Sequence, residues 1–198
     1  AAKNAAKNNF KTLLVEEKNE LGGSTIYENN EFNKIDNKAP SECLKKEIKE
    51  LKNIKNLEIK TRTSVAAYHQ YNYLLARENL TDHLEAKDKT NKIRQRLLKI
   101  RAKKVILATG ALERPLIFNN NDRPGIMLSS AIKKYSEFYG VACGSKNVFF
   151  TNNDSAYESA ISLYNKGINV EAIIDIREQS ESKIVKKVKE AGIKIYWS

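Results

Sequence analysis

Asn147-Val148-Phe149-Phe150-Thr151, then Asp154 to Lys166, then Val170 to Ile176: this is the passage that decides the fold. The first and last runs have the length and the β-branched and aromatic content of buried strands, and the middle stretch has helical apolar spacing. A second helix is expected over Ser182 to Ala191 and a third strand over Ile193 to Trp197. The order β-α-β-α-β calls for a parallel sheet with right-handed crossovers. Gly167 and Gly192 follow the two helices, where glycine readily adopts the left-handed conformation that ends a helix. A further helix, Ser129 to Tyr139, precedes this unit.

Upstream, Ala1, Ala2, Ala5 and Ala6 give residues 1–9 the small-residue face of a helix. The run Thr12-Leu13-Leu14-Val15, ending in Glu16-Glu17, has the length and flanks of a buried parallel strand. Leu21-Gly22-Gly23-Ser24 is a turn. Residues 40–52 open on Pro40-Ser41 and carry Leu44, Ile48 and Leu51, the spacing of an amphipathic helix. From Leu57 to Leu80 the pattern is that of strands: Leu57 and Ile59, then Val65 to Tyr68, then Tyr71 to Ala76. A hairpin tip over Asp82 to Asn91 and a return strand over Lys92 to Ala102 complete an antiparallel excursion. Val105 to Gly110, Val-Ile-Leu-Ala-Thr-Gly, is expected to be another buried strand ending in a small-residue turn. Residues 111–127, with Pro115, Pro124 and Asn119-Asn120-Asn121, form a crossover linker. The expected organisation is therefore a first unit over residues 1–117 and a second, partial unit over 118–198. The chain opens inside a helix and closes on a strand, so a piece of a longer protein is expected.

The 198 residues suffice for one large domain or two small ones, and a 41% hydrophobic fraction rules out a disordered tail. No apolar stretch approaches the ~20 residues of a membrane span, and residues 1–9 lack the apolar core of a secretory signal. Cys43 and Cys143 are too far apart for a redox pair or zinc ribbon, which fits a reducing cytoplasm. The net charge of +11 comes from 27 lysines and only 8 arginines, alongside 21 asparagines and 19 isoleucines. Those three abundant residue types share AT-rich codons. Nucleic-acid surfaces favour arginine, so no nucleic-acid partner is expected.

Two constellations carry chemistry. An acid ending a buried strand, as Glu16 does, can accept both hydroxyls of an adenosine ribose and repel a 2′-phosphate. Gly22 and Gly23, six and seven residues on, let backbone approach a cofactor without a Cβ. Thr109-Gly110 stands at the carboxyl end of an expected strand, where open α/β sheets bind ligands. Together they indicate an α/β, Rossmann-like dinucleotide-binding fold with a parallel sheet and an antiparallel β-excursion, followed by a second, partial Rossmann-like unit. In that second unit, Thr151-Asn152-Asn153-Asp154-Ser155-Ala156 lacks the glycines of a pyrophosphate cradle. Asp154 is expected to cap the following helix, and Asp175 only looks like a ribose acid. No binding of a dinucleotide by this unit is expected.

The sequence resembles the flavin/pyridine-nucleotide oxidoreductases with two dinucleotide-binding units, and more closely the α subunits of heterotetrameric sarcosine oxidases. Leu14-Val15-Glu16-Glu17 with Glu20-Leu21-Gly22-Gly23-Ser24 carries this likeness, as does Val105 to Pro115, Val-Ile-Leu-Ala-Thr-Gly-Ala-Leu-Glu-Arg-Pro. Asn121-Asp122-Arg123-Pro124-Gly125-Ile126-Met127-Leu128 and Phe150-Thr151-Asn152-Asn153-Asp154-Ser155-Ala156-Tyr157 are more specific to that subunit. The resemblance implies a bacterial complex of four different subunits that oxidises sarcosine to glycine, with formaldehyde or methylene-tetrahydrofolate and hydrogen peroxide as further products. It implies NAD in this subunit, substrate oxidation at a flavin in the β subunit, and FMN at the α/β interface. Cofactor contacts are implied at Glu16, Glu17, Lys18, Gly22, Gly23 and Ser24. Val65 would meet the adenine through its backbone, and Thr109 and Gly110 would lie near the pyrophosphate. The family's glycine fingerprint would precede Ala1, and its tetrahydrofolate-binding region would follow Ser198. FAD makes the same demand on Glu16 as NAD. The alternatives are therefore an FAD-binding subunit of another amine or amino-acid dehydrogenase, or a ligand-free structural module.

His69 and His83 read as surface histidines, and no spacing suits a metal. No GxSxG elbow exists, Cys143 reads as a turn cysteine, and Arg114 and Arg123 flank the linker as phosphate holders or surface residues. No proton-transfer pair stands out, so no catalytic residue is assigned.

Overall fold

The computed structural model describes residues 1–28, 34–35, 37–89 and 92–198. These fall into two compact units, one of residues 1–23 and 42–109, the other of residues 24–41 and 110–198.

The first unit opens on α1 (Ala2–Lys7), whose small-residue face buries Ala6. Strand β1 (Thr12–Val15) pairs in parallel with β2 (Leu57–Lys60), Thr12 opposite Leu57 and Val15 opposite Lys60. The connection between them includes α2 (Pro40–Lys52), the amphipathic helix expected from Leu44, Ile48 and Leu51. An antiparallel sheet of β3 (Thr63–His69), β4 (Tyr73–Asn79) and β5 (Gln95–Arg101) follows, in that order across the sheet. Its inner face holds Leu74 and Ala76, and Glu78, whose carboxylate accepts from Lys60 Nζ at 3.1 Å and Arg96 Nη1 at 3.4 Å. Strand β4 begins at Tyr73 rather than Tyr71, because Tyr71 and Asn72 turn the chain at φ +58° and +54°. The hairpin tip contains a single helical turn, α3 (Ala86–Lys89), and its last residues, Thr90 and Asn91, lie outside the described residues. Strand β5 starts at Gln95 rather than Lys92, since Arg94 is drawn to Asp82 at 2.6 Å.

The expected buried strand over Val105 to Gly110 does not form. Residues 104–118 are irregular, with Ile106 69% and Leu107 66% exposed. An apolar run becomes a buried strand only when neighbouring strands take up its N–H and C=O groups. Among the described residues no strand pairs with it.

The second unit realises the β-α-β-α-β passage. Strands β6 (Asn147–Thr151), β7 (Val170–Asp175) and β8 (Lys194–Trp197) are parallel and adjacent in that order, with Phe149, Ile173 and Ile195 in register. Helices α5 (Ser155–Asn165) and α6 (Lys183–Glu190) supply Tyr157, Ala160, Val185 and Val188 to one core with Phe149 and Ile173. Gly167, at φ +75°, stops α5, and the next N–H, of Ile168, bonds the Leu163 carbonyl at 3.1 Å. The opposite face of the sheet exposes Val148, Phe150, Ile174 and Tyr196, with Phe118 edge-on to Phe150 at 5.3 Å.

Helix α4 (Ser129–Phe138) also belongs to this unit, and its buried Lys133 pairs with Glu28 at 2.8 Å. Its free N-terminal N–H groups are met by a distant carboxylate. Glu113 accepts from the Ser129 N–H at 3.1 Å, the Ser129 hydroxyl at 2.8 Å and the Ser130 N–H at 2.8 Å. Burial pushes this carboxyl up, but the Ser130 and Ser129 hydrogen bonds outweigh it and hold the group below its ordinary range. Glu113→Ala is expected to destabilise the protein by about 1 kcal/mol, as loss of a helix cap does. Because the folded-state value is depressed, that contribution is present above the ordinary carboxyl range and lost as pH falls through the folded value. Urea titrations of parent and variant at neutral and acid pH would show the difference narrowing in acid.

Candidate functional site

The turn after β1 is built by a change of partner strand. The Glu16 N–H still bonds the Lys60 carbonyl of β2 at 2.9 Å. The Glu16 carbonyl then accepts from the Thr63 N–H at 2.9 Å and the Lys18 carbonyl from the Arg62 N–H at 2.7 Å, which hands the chain to the start of β3. Glu16 is half-buried, and its Oε1 accepts the Lys18 N–H at 3.0 Å, folding the carboxylate over the turn. Its Oε2 takes no hydrogen bond among the described residues. A carboxylate has about four acceptor positions, so most of its capacity is uncommitted. Glu17 and Lys18 are exposed.

Gly22 and Gly23 serve different ends. Gly22 has φ +120°, and a Cβ there would collide with the Leu44 side chain of α2, so it packs strand-end turn against helix. Gly23 has φ +57° and open space where a Cβ would stand, leaving its backbone accessible. Ser24 is exposed in the 3-10 turn that runs from Gly23 to Tyr27. Val65 lies in β3 opposite Ala76, beside a register shift between Val65 and Ala67. Thr109 and Gly110 are exposed, Gly110 at φ +71°, on the irregular segment described above. The hydrogen bonds of the turn thus join Glu16 and Lys18 to the strand carrying Val65, whereas no hydrogen bond among the described residues brings Thr109 or Gly110 to them.

The carboxyl ends of β6 and β7 in the second unit are occupied by side chains. Asp175 is fully buried, and its Oδ2 accepts from the Tyr157 hydroxyl at 2.8 Å and Arg177 Nη2 at 2.7 Å. Its Oδ1 takes Arg177 Nε and the Arg177 backbone N–H, each at 3.0 Å. Arg177 Nη2 also reaches Asp154 Oδ1 at 2.9 Å. Burial raises the Asp175 carboxyl, but Arg177 and the Tyr157 hydroxyl pull it below its usual range. Burial and the same carboxylate push the Tyr157 phenol well up. Asp154 does hold the N-cap position of α5, but its side chain makes no capping bond. Asn153 Oδ1, not Asp154, accepts the Ser155 N–H at 3.0 Å, because Asp154 is turned to Arg177. Arg177 escaped the sequence reading, although an arginine two residues after a strand-end aspartate is a usable signal. Glu113 lies sixteen residues from the helix it caps, and nothing local points to it.

Arg114 and Arg123 are exposed, and His69 and His83 are surface residues, His69 against the Tyr73 ring at 5.9 Å. Cys43 and Cys143 are not joined in a disulfide. Among the described residues, no group of three histidine, cysteine or acidic side chains is placed to hold a metal ion, and no helix is long and apolar enough to cross a membrane.

No family model matches the chain. It is 37% identical over 195 residues to the sarcosine oxidase α subunit of Corynebacterium sp. (strain P-1), covering 98% of this chain and 20% of that protein. It is 36% identical over 177 residues to the sarcosine oxidase α subunit of Rhizobium meliloti (strain 1021), covering 89% of this chain and 18% of that protein. The chain spans about a fifth of the length of these curated relatives. Among solved structures, it superposes on L-proline dehydrogenase from P. horikoshii with a TM-score of 0.63 at 25% identity, over 86% of this chain and 32% of that one. Lactococcus lactis thioredoxin reductase gives 0.62 at 17% identity, over 100% of this chain and 59% of that one, a likeness of fold alone. The chain is thus similar in sequence to one segment of sarcosine oxidase α subunits, and its fold is α/β and Rossmann-like.

Proposed function

We propose that the chain is a nucleotide-binding segment of an oxidoreductase subunit, with NAD held at the turn after β1. The observation that carries this is the Glu16 carboxylate, half-buried at the carboxyl end of a parallel strand with Oε2 uncommitted. Two ribose hydroxyls need such an acceptor, and its charge disfavours a 2′-phosphate. The open backbone at Gly23 supports the fit, since a phosphate or ribose can approach where no Cβ stands. Gly22, Glu17, Lys18 and Ser24 flank the contact. Val65 is assigned to the adenine, and Thr109 and Gly110 to the pyrophosphate, on the resemblance to the family. When bound, the nucleotide supplies hydride-accepting chemistry. This chain's residues bind and orient it, and none is assigned a catalytic role.

The names of the relatives support a place in a sarcosine-oxidising complex, and the resemblance adds the products glycine, formaldehyde or methylene-tetrahydrofolate, and hydrogen peroxide. On this reading the partners are the other subunits of the complex, an FMN at the interface between subunits, and tetrahydrofolate bound outside this chain. FAD is the alternative nucleotide, because Glu16 serves either ribose equally. Titration calorimetry with NAD and with FAD tests the assignment. Glu16→Ala is expected to lose roughly 1.5–3 kcal/mol, the worth of a charged hydrogen-bond acceptor, or about tenfold or more in affinity. Glu17→Ala, at an exposed flanking position, should cost less than Glu16→Ala. Equal affinity in parent and Glu16→Ala would remove Glu16 from the site.

A further inference from the structure

The outward face of the antiparallel sheet has a composition that neither folding nor the nucleotide site requires. Alternation along β4 and β5 sends Leu74, Ala76, Leu98 and Ile100 inward, and Tyr73, Leu75, Arg77, Leu97, Lys99 and Arg101 outward. On that outward face each cross-strand pair joins one apolar or aromatic side chain to one cation: Tyr73 with Arg101, Leu75 with Lys99, and Leu97 with Arg77. Tyr73 and Leu75 stand side by side on β4 and Arg101 and Lys99 side by side on β5, and the order reverses at Arg77 and Leu97, so cations and apolar side chains share both strands. The three cations are exposed, and no carboxylate pairs with them among the described residues. Glu78, the one acid on the three strands, faces inward and is taken by Lys60 and Arg96. Arg101 lies over the Tyr73 ring at 5.7 Å.

Lysines and arginines on an edge strand such as β5 ordinarily serve to discourage strand addition. That role does not call for Leu97, 62% exposed next to Lys99 on the same face, or for a cation on the central strand at Arg77. We propose that this face docks an acidic, amphipathic polypeptide, whose carboxylates meet Arg77, Lys99 and Arg101 and whose apolar side chains meet Leu75, Leu97 and Tyr73. Opposite charges across such an interface fix register and suppress wrong partners, and the apolar side chains add buried area. A nucleic-acid strand would use the cations but leave the two leucines uncovered, so a polypeptide fits better.

The test is a nitrogen-15 NMR titration of the full chain in 150 mM salt with three probes: a ten-residue peptide alternating glutamate and valine, decaglutamate, and a ten-nucleotide oligothymidylate. The alternating peptide is expected to bind at least tenfold more tightly than decaglutamate, with shifts confined to β4 and β5. Leu97→Ser should abolish that preference, and a chain carrying Arg77→Glu, Lys99→Glu and Arg101→Glu should bind neither peptide. Preferential binding of the oligothymidylate on this face would overturn the proposal in favour of a nucleic-acid surface. Shifts spread over the lysines of α2 and α6, or no binding of the alternating peptide, would also overturn it. The spectrum of each variant reports whether it is folded. None of these outcomes depends on whether the Glu16 turn binds NAD.

Discussion

Arg177→Ala is expected to destabilise the second unit by about 3–5 kcal/mol, the usual consequence of leaving a buried charge without its partner. The charge in question is Asp175, fully buried at the end of β7 and bonded to Arg177 through both carboxylate oxygens. With the guanidinium gone, its remaining donors are the Tyr157 hydroxyl and the backbone N–H of residue 177. The loss should depend on pH in a set direction. In the parent, Arg177 holds Asp175 below its ordinary value, so the pair stabilises above the ordinary carboxyl range and the contribution fades as pH falls through the folded value. In the variant, only the Tyr157 hydroxyl and the backbone N–H of residue 177 still oppose burial, so the carboxyl lies higher than in the parent and protonation relieves it at a higher pH. The gap between parent and variant should therefore shrink as pH drops from neutral towards the carboxyl range. Urea titration followed by the fluorescence of Trp197, stacked on Tyr157 at 6.3 Å, reads this unit directly. A gap that is constant with pH would mean that Asp175 is not the group left stranded.

Gly22→Ala is expected to cost about 3 kcal/mol, from backbone strain and overpacking together. The residue sits at φ +120°, and its new Cβ would strike Leu44. The two contributions separate in a double variant. Leu44→Ala makes room for the Cβ but leaves the backbone strain, so Gly22→Ala should cost less in that background without becoming neutral. Gly23→Ala meets no neighbouring atom and should show the strain of φ +57° alone. Thermal unfolding of the four proteins checks this. Additive losses in the double variant would rule out the contact with Leu44 as a cause.

The second unit was legible because its signals are local. The apolar spacing of Asp154 to Lys166, the runs on either side and the glycine stop at Gly167 each specify one element, and those elements can be joined in few ways. Val105 to Gly110 was not, because burial of a strand on both faces depends on neighbours that a short window does not contain. The same divide runs through the candidate site. Glu16 at a strand end and the glycine pair could be seen in the chain. That Gly22 answers to Leu44, twenty-two residues away, could not. Asp154 was placed at a helix start correctly, yet its task went to Asn153, because Arg177 competes for the carboxylate and lies more than twenty residues on. Side-chain competition between distant segments is what a sequence pattern encodes least.

Nucleotide is expected to take the open carboxylate after β1 and not the filled end of the second sheet. A crystal structure of the protein soaked with NADH tests this most directly. The expected result is nucleotide density with its ribose hydroxyls on Glu16 and its phosphates over the glycine turn, and an undisturbed Arg177 bridge between Asp154 and Asp175. Nucleotide density over Asn152 and Asn153, with Arg177 displaced from Asp175, would contradict it.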